Sequence, residues 1–267
     1  MRIIIQVCFL LIAIKVAAQD HLQIIPLHNA HAHNDYKHDR PLFDALDQGF
    51  TSVEADVYLV DGELYVYHDL PNKIDPSRTL KKMYLDPLLL ISRQSGGKVY
   101  AGYDVTFYLM IDIKREGEKV YELLKKQLTD YKEMLTSYEG ITMEQGAVTI
   151  FLSGDRPINQ LMSEEKRLMA LDGRPSDIGK GIHPSYMPVI SDNYNKHFKW
   201  KGKTDEMPYE DWRKLRMLIG NAHSEGKKVR FWASPERESV WKVLLRAQVD
   251  FINTDRLKGL KVFLQKK

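Results

Sequence analysis

The sequence has little cysteine, no long apolar run and no excess of either charge, and each absence excludes a class of protein. Its single cysteine, Cys8, lies in an apolar segment near the start, so the rest of the chain has no disulfide, thiolate metal site or cysteine nucleophile. The 39 basic residues nearly balance the 36 acidic ones, and the balance is closer without the two basic residues of the first nineteen. No overall positive field therefore favours nucleic acid or an anionic membrane as a partner.

The first nineteen residues have the pattern of a secretory signal peptide. Arg2 precedes the apolar run IIIQVCFLLIAI, and the small residues VAA precede Gln19. The run is about half the length that spans a bilayer, which argues against an N-terminal membrane anchor. We therefore expect residues 1–19 to be removed and residues 20–267 to be exported, either periplasmic or secreted, with no integral membrane segment.

The remainder alternates short β-rich runs with amphipathic segments. Eight runs are predicted to be strands, at residues 23–27, 52–59, 107–113, 147–152, 167–172, 187–191, 228–232 and 249–253. Apolar residues at helical spacing predict helices within 120–135, 212–222 and 240–247. This alternation predicts a single α/β domain folded as a closed (β/α)₈ TIM barrel, with a doubly wound open sheet as the alternative.

Polar residues at the strand ends favour the barrel. Those at or just after the end of a predicted strand are His33, Asp56, Asp112, Ser153, Asp172, Asp192, Trp232 and Asp255. In a barrel these ends converge on one rim, where such enzymes carry out their chemistry. One departure follows the second strand, where Asp61-Gly62 predicts a hairpin turn. Residues 69–106 are then predicted to form an excursion over the rim within the same domain.

Two carboxylates share one face of the second strand. In SVEADVYL the strand period of two places Glu54 and Asp56 on one face and Val53, Ala55 and Val57 on the other. A barrel strand has no solvated face, and a buried carboxylate is costly unless a cation or hydrogen bonds compensate it. The pattern therefore favours a hard divalent cation bound by Glu54 and Asp56 over a solvated strand face.

The third strand repeats this logic in FYLMIDIK. Asp112 ends the strand and shares a face with Lys114, so Asp112 is a candidate third oxygen ligand and Lys114 a candidate contact for an anionic oxygen. The alternative is an Asp112–Lys114 ion pair at the barrel mouth, which requires no ligand. The presence of Glu54 and Asp56 nearby makes the metal site the better interpretation.

Histidines are concentrated near the first strand. Four of the nine histidines lie in PLHNAHAHNDYKHDRPL, at residues 26–42. His33 stands twenty-one residues before the Glu54-x-Asp56 pair, and His68 follows that pair by twelve residues. His28 and His38 have no chemical partner in the pattern, and the ordinary interpretation of His68 alone is a hydrogen-bonded histidine at a strand end.

These motifs, followed by IDIK, an aromatic FWA strand and VDFINTD, resemble the glycerophosphodiester phosphodiesterase group of the phosphatidylinositol-specific phospholipase C-like phosphodiesterase superfamily. The segment beginning HNDY is similar to the HNDY-type branch of that group. The resemblance spans nearly all of residues 20–267. It implies a (β/α)₈ barrel that binds one divalent cation, Mg²⁺ or Ca²⁺, through the three carboxylates. It also implies that His33 and His68 act as acid and base, with His31 as the reserve for His33.

The sequence departs from the group at one position. Typical members begin His-Arg-Gly, whereas Asn34 follows His33 here, so the phosphate-contacting arginine is missing. Arg40 and Lys114 are possible substitutes. The resemblance places Trp232 and Arg230, from KVRFWA, at the mouth as a wall against the alcohol or head group, with core packing as the alternative for Trp232.

The predicted activity is divalent-metal-dependent cleavage of a small or lipid head-group phosphodiester. The cation neutralises phosphoryl oxygen charge, one histidine takes a proton from the nucleophile and the other protonates the leaving oxygen. Attack by water or by a hydroxyl of the substrate remains open at this point.

Two other functions compete with this one. The first is a zinc amidohydrolase-type barrel using His31 and His33. It requires later histidine ligands, but His183 precedes a proline and His223 lies within a predicted helix. The second is a secreted binding barrel without activity, against which the intact set of carboxylates and histidines argues.

Overall fold

The computed structural model describes residues 24–266, so the predicted signal peptide lies outside the described residues. The strands in this part of the chain are β1 Leu27–Ala32, β2 Phe50–Val60, β3 Glu63–Val66, β4 Phe107–Ile113, β5 Ser137–Glu139, β6 Thr142–Glu144, β7 Val148–Gly154, β8 Lys166–Arg167, β9 Ala170–Gly173, β10 Val189–Asn193, β11 Lys228–Trp232 and β12 Phe251–Thr254. The helices are α1 Phe43–Asp47, α2 Asp86–Gln94, α3 Gly117–Leu128, α4 Ile158–Ser163, α5 Tyr194–His197, α6 Tyr209–Ser224, α7 Glu238–Arg246 and α8 Leu257–Gln265.

Eight of the strands close into a parallel barrel. Their order around the barrel is β1, β2, β4, β7, β9, β10, β11 and β12, and β1 pairs with both β2 and β12. Every pairing in this ring is parallel. The predicted (β/α)₈ barrel is therefore confirmed, and the open sheet is wrong.

The first strand lies later in the chain than predicted, at Leu27–Ala32 instead of 23–27. Ile24 and Ile25, which suggested a buried strand, are 38% and 60% exposed. The actual strand, LHNAHA, carries a weak hydrophobic signal because its fully buried apolar residues are two small alanines, Ala30 and Ala32, while Leu27 is only partly buried and the other three residues are polar. A strand that contributes a histidine to the barrel interior is difficult to find from hydrophobic alternation.

The strands outside the barrel form two small additions. β3 pairs antiparallel with the far end of β2 through the predicted turn, in which Asp61 and Gly62 have φ of 49° and 81°. The short strands β5, β6 and β8 form an antiparallel sheet of their own. The predicted strand 167–172 is divided between two strands of the structure. Its first residue, Arg167, belongs to β8, and β9 begins at Ala170.

Part of the predicted excursion at 69–106 belongs to the helical layer of the barrel. A π-helical turn, Lys81–Leu85, leads into α2, and its residues Tyr84 and Leu85 are fully buried in the main core together with Leu88 of α2. Between residues 24 and 266, no helix combines the length and the apolar character needed to cross a bilayer.

The interior of the barrel has an apolar layer with polar side chains above it. Met110, Phe151, Val189 and Phe251 form a buried cluster separate from the main core. Each of the four precedes a polar residue by two positions on its own strand, namely Asp112, Ser153, Ser191 and Asn253. Because side chains alternate along a strand, these polar residues lie on the same interior face, nearer the carboxyl ends. The barrel thus presents polar groups at the rim above an apolar floor.

Candidate active site

Three carboxylates converge at the carboxyl ends of β2 and β4. Glu54, Asp56 and Asp112 each place one oxygen within 4.8 Å of the oxygens of the other two. The strand register explains the meeting, because Asp56 pairs directly with Asp112 across the parallel ladder. Glu54 and Asp56 are buried, and Asp112 is partly buried. The three residues predicted as metal ligands therefore lie together.

The two oxygens of Asp56 have different surroundings. Oδ2 faces three groups: the Tyr36 hydroxyl at 2.6 Å, the Lys114 Nζ at 2.7 Å and the His68 Nδ1 at 3.1 Å. Oδ1 is buried and has no hydrogen-bond partner within residues 24–266. A buried carboxylate oxygen without a partner is costly, and a cation would compensate it. The all-oxygen donor set suits Mg²⁺ or Ca²⁺, so the residues present fit a hard divalent cation.

Two cations lie beside the carboxylates. Lys114 Nζ is 3.1 Å from Asp112 Oδ1 as well as close to Asp56, and Arg230 Nη2 is 3.3 Å from Glu54 Oε2. Burial raises the pKa of Asp112 to about 6, opposed by Lys114 and reinforced by Glu54 and Asp56. Burial also acts to raise the pKa of Glu54, but Arg230 and the neighbouring imidazoles outweigh it and hold that pKa below its usual range. The carboxylate cluster therefore combines anions and cations at close range.

His33 is oriented by a carboxylate from the last barrel strand. Its Nδ1 lies 2.7 Å from Asp255 Oδ1, and its Nε2 lies 3.7 Å from Glu54 Oε2. The Asn34 amide nitrogen, a donor, also lies 2.9 Å from Nδ1, but the Asp255 oxygen is closer, carries the charge and only accepts. The contact with Asp255 therefore favours a proton on Nδ1 and leaves Nε2 facing the carboxylate cluster. His33 thus has the arrangement of a proton acceptor or donor at Nε2.

His68 reaches the site from the hairpin. The hairpin brings the chain back beside β2, where His68 Nδ1 contacts Asp56 and also lies 3.1 Å from the Tyr36 hydroxyl. The His68 side chain is 50% exposed, whereas that of Asp56 is 1% exposed. His68 therefore stands at the mouth, within reach of both solvent and the buried carboxylates.

His31 lies behind Glu54 and is fully buried. Its Nδ1 is 2.7 Å from Ser52 Oγ, and its Nε2 is 3.8 Å from Glu54 Oε2. Burial, reinforced by Arg230, lowers the pKa of His31 to about 3, so this imidazole stays neutral. His31 is placed to support Glu54 from below, while His33 and His68 line the cavity.

A cavity of about 310 Å³ joins these groups. Its lining comprises His33, Asn34, Glu54, Asp56, His68, Asp112, Lys114, Ser153, Gly154, Arg174, Arg230 and Trp232. Lys114, Arg230 and Trp232 thus all line the cavity, but Arg230 is buried beside Glu54 instead of lying at the mouth. Trp232 is only partly buried, which does not fit the alternative of core packing.

Arg40 does not reach the cavity. Its exposed guanidinium bonds the carboxylates of Asp44 and Asp47 at the start of the helical layer. It therefore cannot replace the missing arginine as proposed from the sequence. The later histidines required for a zinc site are also elsewhere: His183 contacts Ser185, and His223 contacts Asp250. Neither lines the cavity, so the zinc alternative lacks its ligands.

Sequence reasoning missed two residues of the site. Tyr36 hydrogen-bonds Asp56, and Arg174 follows β9 and lines the cavity. The sequence did offer a signal for Tyr36, because this residue is the tyrosine of the HNDY segment and stands only three positions after His33. Arg174 had a weaker signal, a cation two residues after the strand-end Asp172, which it contacts at 2.8 Å.

Comparison with known protein families gives two matches in different parts of the chain. Residues 19–172 match the family model described as "AIM6-like phosphodiesterase domain". Residues 228–258 match the model described as "Glycerophosphoryl diester phosphodiesterase family". The first match covers the carboxylates and both histidines, and the second covers Arg230, Trp232 and Asp255. The resemblance to the glycerophosphodiester phosphodiesterase-like superfamily is thereby confirmed.

Whole-chain relatives have moderate identity. The "Altered inheritance of mitochondria protein 6 homolog" of Arthroderma benhamiae is 28% identical over 266 residues, covering 89% of this chain and 84% of the relative. The "Altered inheritance of mitochondria protein 6" of Kluyveromyces lactis is 29% identical over 306 residues, covering 90% and 72%. Among solved structures, a glycerophosphodiester phosphodiesterase from Agrobacterium tumefaciens matches 90% of this chain and 100% of its own, with a TM-score of 0.50 and 15% identity. That structural match supports the fold.

Proposed function

This chain belongs to the AIM6-like phosphodiesterase domain family, and we propose that it is a divalent-metal-dependent phosphodiesterase acting on a small or lipid head-group phosphodiester. One observation carries the proposal: three carboxylates converge at the rim, and two cavity-lining histidines each contact a different one of them. This arrangement supplies the ligands for a cation together with two imidazoles that can accept and donate protons.

Each residue has a distinct part in the proposed reaction. Glu54, Asp56 and Asp112 would hold the cation, which supplies charge neutralisation for the phosphoryl oxygens when bound. Lys114 adds a fixed positive charge beside the reacting phosphate. His33 and His68 transfer the protons of the nucleophile and the leaving alcohol.

The charges of the site support a diester rather than a monoester. The three carboxylates exceed Lys114 and Arg230 by one negative charge. A divalent cation converts this to one positive charge, which a phosphodiester monoanion neutralises. A phosphate monoester carries close to two negative charges at pH 7 and would leave the buried site with an excess.

The test is hydrolysis of bis(p-nitrophenyl) phosphate and of glycerophosphodiesters by the purified protein, with Mg²⁺, with Ca²⁺ and with EDTA. We expect EDTA to abolish turnover and Glu54→Gln to lower kcat/KM by about 100-fold or more, because the cation loses a ligand. Glu144→Gln, at an exposed position remote from the cavity, is the matched control. Turnover that persists in EDTA, or equal rates in both variants, would contradict the proposal. Phosphorus NMR of the product distinguishes attack by water from cyclic phosphate formation.

We further propose that the protein acts outside the cytoplasm, on the basis of the pattern in residues 1–19. The intact mass of the protein recovered from the periplasm or culture fluid tests this. A chain starting near Asp20 is the expected product, whereas a full-length chain confined to the cytoplasm would contradict export.

A further inference from the structure

Arg174 lies on the opposite side of the barrel mouth from His33. Arg174 follows β9, and β9 stands four strands from β1 in either direction around the closed ring of eight. Both residues nevertheless line the same cavity. A substrate held at the carboxylates can therefore extend across the mouth towards Arg174.

The guanidinium of Arg174 is fixed on one side. Its Nη1 donates to Asp172 Oδ2 at 2.8 Å and to the Gly173 carbonyl at 2.8 Å, and its Nη2 donates to Ser153 Oγ at 3.3 Å. Asp172 is itself fully buried. Within residues 24–266, the Nε of Arg174 has no hydrogen-bond acceptor, and neither does the second proton of Nη2. The guanidinium therefore retains unused N–H groups suited to two-point binding of an anion.

The charges around Arg174 differ in sign from those at the carboxylates. Arg156 donates to the Asp172 carbonyl, and its Nη1 is 4.0 Å from Asp177 Oδ2. Lys180 also pairs with Asp177, at 2.9 Å. The three cations of this group thus exceed its two carboxylates by one positive charge. Lys180 is exposed, and neither Lys180 nor Arg156 lines the cavity, so Arg174 is the cation of this group that can meet an anion inside the cavity.

We propose that Arg174 determines specificity by binding a second anionic group, a carboxylate or a phosphate, on one of the two alcohols of the phosphodiester. This inference rests on the proposed function. The cavity volume of about 310 Å³ suits a head group of this kind. The preferred substrate is thus a small phosphodiester that carries a further negative charge.

The experiment compares three p-nitrophenyl phosphodiesters whose second alcohol is 3-hydroxypropyl, 2-carboxyethyl or 2-(phosphonooxy)ethyl. For the wild type with bound metal, we expect at least one anionic diester to exceed the hydroxypropyl diester about tenfold in kcat/KM, mainly through KM. In Arg174→Gln the ratio of kcat/KM between the anionic and the hydroxypropyl diesters should fall to about twofold or less, because only the anionic diesters lose a charged contact. Lys180→Gln is the matched control, because it removes a cation that pairs with Asp177 but does not line the cavity. This variant should keep the preference for the anionic diesters.

A double variant tests whether the effect of Arg174→Gln comes from misfolding. Arg174→Gln leaves the buried Asp172 without its cation, so the double variant Asp172→Asn/Arg174→Gln, which removes both charges, is measured beside it with thermal melts. Loss of preference in the folded double variant supports the proposal. If Arg174→Gln lost the same fraction of kcat/KM with all three diesters, Arg174 would act on the scissile phosphate they share. That result would overturn the proposal. Metal-dependent hydrolysis without any anionic preference in the wild type overturns this inference alone, whereas absence of metal-dependent hydrolysis overturns the proposed function as well.

Discussion

Asp255 is the residue that orients His33, and its carboxylate is largely exposed, with 56% of the side chain accessible. We expect Asp255→Asn to lower kcat about tenfold or more with little change in KM, because a neutral amide, which can also donate to Nδ1, replaces the carboxylate that favours a proton there. Steady-state kinetics on a generic diester measures the effect. Asp39→Asn removes an exposed carboxylate from the segment between β1 and α1, which also carries His33, and should leave kcat unchanged. An unaltered kcat in Asp255→Asn would show that this contact does not serve the reaction.

Asp35 gives the protein a pH-dependent stability. Burial raises the pKa of its carboxyl to about 7, against the opposing hydrogen bonds from the Leu42 amide and the Tyr84 hydroxyl. The folded state therefore keeps a proton between about pH 4 and 7 that the unfolded state has released. The stability due to that proton is lost as the pH rises through 7.

Asp35→Asn removes this titration and keeps an oxygen that can accept both hydrogen bonds. The Tm of the variant relative to the wild type should therefore rise between pH 5 and pH 8. Thermal melts across this range measure the difference, with the exposed Asp130→Asn as the comparison. A constant difference between Asp35→Asn and the wild type across the range would count against a buried, protonated Asp35.

At the scale of elements, the end of β7 is shaped by Gly154. This residue has φ of 69°, and a Cβ atom there would lie 2.2 Å from the Ile113 carbonyl oxygen and 2.8 Å from Asp112 Oδ1. Gly154→Ala therefore combines backbone strain with a clash against a proposed metal ligand. We expect a loss of unfolding free energy above about 1–3 kcal/mol and weaker metal binding.

Gly181→Ala separates the two effects. Gly181 has φ of 71°, but a Cβ atom there meets nothing within 4 Å. The variant should lose about 1–2 kcal/mol and keep the response to metal. Thermal unfolding with and without Mg²⁺ measures both quantities. If Gly154→Ala and Gly181→Ala lost the same unfolding free energy and kept the same response to Mg²⁺, the contact between β7 and Asp112 would not constrain this carboxylate.

The elements also show where sequence reasoning succeeds and fails. The strands β4 and β11 have the predicted bounds, and the Glu54-x-Asp56 pair follows from the period of two within one strand. These signals are local. β1 was misplaced because its inward residues are polar, and Arg174 was missed because its contact with Ser153 joins two strands whose register the sequence does not state.

For the whole molecule, binding of the cation should stabilise the fold. The three ligands come from β2 and β4, so they converge only in the folded barrel. At a metal concentration of about a hundred times Kd, the stabilisation is about 2.7 kcal/mol. Tm should rise with Mg²⁺ or Ca²⁺ concentration for the wild type and for Glu144→Gln, and much less for Glu54→Gln. If Tm did not rise with the concentration of either ion, the carboxylate cluster would not be a binding site for these metals.

The two histidines enter the site over very different chain lengths. His68 meets Asp56 twelve residues away through the β2–β3 hairpin, whereas His33 meets Asp255 across 222 residues. Closing the longer loop costs about 2.5 kcal/mol more in chain entropy, and it requires β12 to dock on β1. During folding, half of the reaction centre can therefore form early as a local hairpin, while the other half appears only when the ring of strands is complete. Recovered turnover then marks the final step of folding rather than collapse of the chain.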